Sequence, residues 1–449
     1  MPGGRRDMQA VNTALQKGSR STQRDRLVAG MVAAANRAGY AGANVSAVIA
    51  EAGVSRPTFY EYFADKDDCL LATIVDVQAG LGEGVERAIE RTAPEEACLG
   101  AIAALVEFAE SQPAQARFLL SEALAGGPHA LDARDGIIDE VARAIERRER
   151  SAPDGAAAPD VPVTALLGAV QRVLGARLRR GVLDGRELRA RLGDWLRAYE
   201  KPIAAHRWRE PVARGDGSSS PSSAIRLRAP AALGPGRPRL SASEVAENHR
   251  QRLLFAAAKL AATRGYTATT IADVCEAADL DRRAFYAVFA DKRELFMAAH
   301  EFGFQRLLAV TAGAYFSGSS WPQRIWQGLK GLSEFLQSNP TLAHVGFVDA
   351  YAVGPGAVQR VEDSVSAFGV FLQEGYRYEP RVSDPSPIAL EAIVAGAFEI
   401  VYRQARVRSR PALSRWNAPM SFIALAPFLG APAADLAIER ELDKRRTGA

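Results

Sequence analysis

At 449 residues the chain is too long for one ordinary domain and suits two to four. Apolar residues make up 48% and charged residues 24%, which allows sizeable cores and excludes a disordered chain. A formal charge of +4 excludes a uniformly basic coat protein, so the placement of charge matters more than its sum.

Helical spacing runs through nearly the whole chain and strand signals are almost absent, which predicts an all-α fold. Residues 1–21 read as a basic flexible arm; six basic side chains stand against two acidic ones within 1–26. A first helix is expected over 22–38, with Leu27, Val28, Met31, Val32 and Ala35 on one face. Two short helices follow, completing a small three-helix domain over 22–68. A helical domain over 69–205 has a long helix from about 66 and further helices at 95–111, 114–125, 128–149, 161–181 and 186–204. Residues 206–246 are rich in Ser, Gly, Pro and Arg, the composition of a flexible linker. Its random-coil span is roughly 35 Å. A second small three-helix domain is placed at 247–294 and a second, larger helical domain at 295–449, with late helices near 387–407 and 412–429.

The two halves are copies. Residues 39–72 and 265–298 align without a gap at an offset of 226, sharing Gly-Tyr at the start, Phe-Tyr at 59–60 and 285–286, and Phe-Ala-Asp-Lys at 63–66 and 289–292. Weaker matches follow, including Gly168-Ala169 with Gly396-Ala397 at offset 228. In the first copy Asn44 and Ser55 are positioned to cap two short helices, and Gly53 suits a left-handed turn between them. The second helix, 56–62, buries Phe59 and leads into Phe63, leaving Arg56, Pro57, Thr58, Tyr60 and Tyr62 on the remaining surface. Such a face, with Ser46 and Ser55 beside it, suits insertion into a DNA major groove, and Lys66 is positioned to meet a phosphate.

The stretch AGVSRPTFYEYFADKDD, behind an Asn-Val-Ser helix start, resembles the TetR family of bacterial transcriptional regulators. The resemblance implies two TetR-like units in one chain, with helices about 45–52 and 56–62 reading double-stranded operator DNA. It also implies middle helices around an effector cavity and a last helix pair that joins subunits. Unit two departs from the pattern: Asp279, Asp281, Ala284 and Val288 stand where unit one has Gly53, Ser55, Thr58 and Tyr62. Arg282, Arg283, Tyr286 and Lys292 remain as candidate contacts, so the second head is expected to be partly degenerate. Ahead of it, Gly234-Pro-Gly-Arg-Pro-Arg239 resembles an AT-hook, with Arg237 and Arg239 suited to a narrow minor groove.

Residues 300–430 are rich in aromatic side chains, which suits a small apolar or aromatic effector; Trp326, Phe347, Tyr351 and Phe398 are the candidate lining residues. Helices 161–181 and 186–204 and their unit-two counterparts are expected to dock as a four-helix bundle, either within one chain as a pseudo-dimer or between chains as a homodimer. The pseudo-dimer is the preferred arrangement. It places half-sites about 34–36 Å apart on an asymmetric operator. The combined reading is a ligand-responsive regulator, preferentially a repressor; the alternative is a sensor or scaffold acting through protein partners. Catalytic residues, cofactors and metal sites are not expected: Cys69, Cys98 and Cys275 have no metal-ligand spacing, and no nucleophile–base pair or Gly-rich phosphate loop is evident. Without an 18-residue apolar stretch or a leader-like start, the chain is expected in the cytoplasm and away from membranes.

Overall fold

The structure, a computed structural model, describes residues 4–151, 161–199, 226–233, 240–354, 356–406 and 413–447. The fold is all-α, with no strand among these residues. Unit one comprises α1 (Gly4–Gly42), α2 (Val45–Ala52), α3 (Arg56–Tyr62), α4 (Lys66–Arg91), α5 (Ala97–Ser111), α6 (Pro113–Leu120), α7 (Pro128–Glu149), α8 (Val163–Arg180) and α9 (Gly185–Arg197). Unit two comprises α10 (Ala242–Ala268), α11 (Ile271–Ala278), α12 (Arg282–Tyr286), α13 (Lys292–Tyr315), α14 (Trp321–Ser338), α15 (Pro340–Phe347), α16 (Ala357–Ala367), α17 (Pro387–Arg406), α18 (Asn417–Leu429) and α19 (Ala431–Thr447).

Caps set the helix starts in both copies. Asn44, Ser55 and Asp65 accept from the backbone N–H of Ala47, Thr58 and Asp68 at 2.9, 3.2 and 2.9 Å. Thr270, Asp281 and Asp291 do the same for Asp273, Ala284 and Glu294 at 3.2, 2.7 and 2.7 Å. The shared Gly-Tyr has a backbone cause: Gly39 (φ 71°, ψ 162°) and Gly265 (φ 79°, ψ 163°) break α1 and α10 in a region almost reserved for glycine.

Three boundaries differ from the sequence expectation. Helix α1 begins at Gly4 rather than near 22, since no proline interrupts the stretch. Part of the predicted flexible linker is held: Leu227 packs on both units' cores and its N–H donates to Asn339 Oδ1 at 2.8 Å. Helix α19 continues beyond the break at Gly430 (φ 76°) and packs on α14 and α18.

The two units share one apolar core built around α8, α9, α17 and α18. Small residues let α8 and α17 approach. A Cβ added to Gly168 would fall 2.4 Å from Glu399 Cγ, and Gly396 lies against Ala165 and Ala169 in return. Gly396 of one duplicated pair thus meets Ala169 of the other across the junction. The Tyr199 hydroxyl donates to the Ile423 carbonyl at 2.9 Å inside it. Beside it runs an ion network between α7 and α17. Arg134 donates to both oxygens of Glu399 at 2.9 and 2.6 Å, Arg403 adds a third bond at 2.9 Å and reaches Asp139 at 2.6 Å, and Arg406 pairs with Asp135 at 3.0 Å. Burial pushes the Glu399 carboxyl up, but Arg134 and then Arg403 outweigh it and hold the group below its ordinary range.

Candidate nucleic-acid interface and cavity

In head one, α2 ends at Gly53 in the left-handed region (φ 61°, ψ 41°) and the chain turns into α3. Arg26 donates to the Gly53 carbonyl at 2.7 Å, fixing the turn to α1. Phe59 and Phe63 are buried, which turns the opposite face of α3 outward. Ser46, Ser55, Arg56 and Pro57 are exposed, and Tyr60 is 52% exposed. Arg56 donates to Ser46 Oγ at 2.7 Å, tying the two helices of the motif together. Thr58 is half-buried, with its hydroxyl 2.8 Å from that of Ser55. Two predicted contacts are placed differently. Tyr62 packs partly against the core and its hydroxyl reaches Gln23 Oε1 at 3.4 Å. The Lys66 ammonium lies 4.1 Å from the centre of the Tyr40 ring.

Head two keeps the frame but changes its chemistry. Asp279 takes the left-handed turn (φ 50°), the one non-glycine residue with positive φ among the described residues. Arg252 donates to its carbonyl at 3.2 Å and pairs with its carboxylate at 3.3 Å. Arg26 and Arg252 sit at the same offset of 226, a signal present in the sequence but invisible until the turn is built. Arg282, Arg283 and Tyr286 are exposed on α12, which is shorter than α3. Lys292 is not available as predicted: its ammonium donates to the carbonyls of Tyr266 and Thr269 at 3.0 and 2.9 Å, closing the end of α10. Arg237 and Arg239 lie outside the described residues.

Inside unit two, α13 to α18 enclose an apolar cavity of about 120 Å3. Phe347 and Phe398 line it, stacked at 4.9 Å and 28°. Trp326 and Tyr351 do not belong to its lining. Trp326 is buried beside Asn417, which donates to its carbonyl at 3.4 Å. Tyr351 turns to unit one, where Arg172 donates to its hydroxyl at 2.6 Å. Aromatic content identifies such rings but not which way they face. The sequence reading also passed over His300. It lines the cavity with Nε2 3.2 Å from the Ser364 hydroxyl, and burial lowers its pKa and favours the neutral ring. The Arg172 guanidinium of α8 lies 3.8 Å from the centre of the Phe398 ring, so one wall residue of the cavity touches the other unit.

The profile of the family described as "Bacterial regulatory proteins, tetR family" matches residues 28–73 and again 253–299. The HTH-type transcriptional repressor KstR of Mycolicibacterium smegmatis is 32% identical over 122 residues; the match covers 26% of this chain and spans 60% of KstR. A tetR-family regulatory protein from Rhodococcus RHA1 is 20% identical over 42% of this chain and 95% of its own, with a TM-score of 0.32. A TetR-family transcription regulator from Marinobacter aquaeolei VT8 is 18% identical over 43% and 97%, also with a TM-score of 0.32. The N-terminal module of the tetR family is thus matched twice in this chain, once in each unit. No helix among the described residues is long and apolar enough to cross a membrane.

Proposed function

We propose that the protein is a ligand-responsive transcriptional regulator, acting as a repressor, whose two unequal heads lie on one operator as an intramolecular pseudo-dimer. The observation that carries this reading is the outward face of α3, where Arg56 and Tyr60 stand exposed opposite buried Phe59 and Phe63. Hydroxyl and guanidinium groups on a short exposed helix suit base edges and phosphates. The shared core and the Arg134–Glu399 pair support pairing within the chain. Head two, carrying Asp279 and Asp281 near the phosphate path, contributes less.

The cavity supplies the response. An apolar effector entering beside Phe347 presses on Phe398 and, through it, on Arg172 of the other unit. It favours the arrangement of the two units it binds more tightly, and the separation of the heads changes with it. Binding-site selection with the full chain tests the DNA reading: an enriched asymmetric site is expected. Affinity that tracks only salt, with no enriched sequence, defeats it. A thermal-shift panel of small apolar and aromatic compounds tests the cavity; a broad panel with no stabilisation counts against it.

A further inference from the structure

A second hollow lies between the units, where α8 crosses α16 and α17. This cleft, about 210 Å3, is lined on one side by Arg172 and Arg180 and on the other by Glu362, Glu391, Val365 and Val394 among others. Val365 and Val394 also line the apolar cavity, so at those positions one layer of side chains separates the two spaces.

Both carboxylates of the cleft are already held by arginines outside its lining. Glu391 is held by Arg177 at 2.7 and 3.1 Å, and Glu362 is paired with Arg179. Arg172 and Arg180 form no ion pair with a carboxylate among the described residues. Arg172 donates to the Tyr351 hydroxyl and lies over Phe398, while its Nε is buried without a hydrogen-bond partner. Burial, followed by repulsion from Arg172, pushes the neighbouring Arg179 down to about 10. Buried Glu399 feels the Arg172 charge but is already bonded by Arg134 and Arg403, so the Arg172 guanidinium, with no direct carboxylate partner among the described residues, suits a carboxylate or similar anion.

We infer that the effector is an amphipathic acid, its apolar body in the unit-two cavity and its carboxylate in the inter-unit cleft on Arg172 and Arg180, the Val365 and Val394 side chains that part the two spaces moving aside to admit it. This rests on the reading of the cavity as an effector site and adds the chemical class of the ligand. A ligand so placed touches both units at once, which gives it a direct hold on their relative position.

The experiment uses the full chain at constant ionic strength, with octanoate, 1-octanol and acetate followed by calorimetric titration and thermal shift. Octanoate is expected to bind at least about tenfold more tightly than 1-octanol, since hydrogen bonds to charged groups add about 1.5–3 kcal/mol. Acetate, lacking the apolar body, is expected to bind far more weakly than octanoate. Arg180→Gln and Arg172→Gln are each expected to narrow the gap between acid and alcohol to within about threefold. If Arg172→Gln fails to fold, Arg180→Gln decides alone, because Arg180 is exposed. Equal affinity for octanoate and 1-octanol, or a preference for the acid that survives in the folded variants, overturns the head site while leaving the cavity reading intact. Failure of both octanoate and 1-octanol to bind overturns the cavity reading and this inference together.

Discussion

Replacing Arg134 with Met tests the junction between the units at its most demanding point. Glu399 is fully buried and takes two of its hydrogen bonds from Arg134, at 2.9 and 2.6 Å. Without them Arg403 alone compensates the carboxylate, and Arg403 is shared with Asp139. Removing one partner of a buried pair costs about 3–5 kcal/mol, and the surviving Arg403 bond sets the expectation at the lower end, about 3 kcal/mol. The double variant Arg134→Met with Glu399→Met removes the orphaned charge and should recover most of the loss, giving a coupling of about 2 kcal/mol or more. Urea denaturation at pH 7.5 reads the cycle. The single variant's deficit should shrink on acidification, because protonation of Glu399 discharges the uncompensated carboxylate. A cost below about 1 kcal/mol, or strict additivity in the double variant, would refute the reasoning.

Three further predictions follow from local geometry. Gly168→Ala drives a methyl group into the anchored Glu399 side chain and should cost about 2 kcal/mol. Gly396→Ala, whose nearest neighbours stand 3.7 Å away, should be neutral or stabilise by up to about 1 kcal/mol in thermal melts. Tyr60→Ala should weaken operator binding by about tenfold or more in gel-shift titrations, and Tyr286→Ala by less; equal losses contradict the asymmetry of the heads. Burial and then Glu146 raise the Glu149 carboxyl to about 7, so the folded protein keeps a proton that the unfolded chain releases near 4.5. Stability is therefore lost as pH rises between those values, and Glu149→Gln should exceed the native chain by up to about 3 kcal/mol at pH 8 and match it near pH 4 in urea melts.

The helix-turn-helix was legible because its signals are local. Asn44 and Ser55 cap, Gly53 turns and Phe59 with Phe63 bury at fixed spacing, and none of this depends on the rest of the chain. The cavity was half legible. Phe347 and Phe398 line it, whereas Trp326 and Tyr351, equally aromatic, are buried elsewhere, because burial does not say against what. Lys292 shows the same limit: a lysine beside a helix start reads as a phosphate contact until the end of α10 is seen to need donors. The inter-unit ion network was not legible at all. Arg134 and Glu399 are 265 residues apart, and no periodicity relates them.

Covalent tandem arrangement changes what substitution can do. A homodimer carries every change twice, so an aspartate in the left-handed turn places its strain and its charge at both half-sites. Here Asp279 occupies one turn while Gly53 keeps the other. In the proposed pseudo-dimer the connection replaces a bimolecular association with an intramolecular one, so pairing should survive at any dilution that leaves the junction folded. The same freedom acts on the interior: the junction-facing buried acid Glu399 belongs to unit two, and the arginine that neutralises it belongs to unit one. Separating the units leaves Glu399 with Arg403 alone, which disfavours self-pairing of unit two. A chain cut between residues 206 and 225 should therefore yield halves that reassociate with each other in preference to themselves. Mass measurement of the mixed halves, giving heterodimer over either homodimer, is the expected result; predominant homodimers would show that the junction carries no such preference.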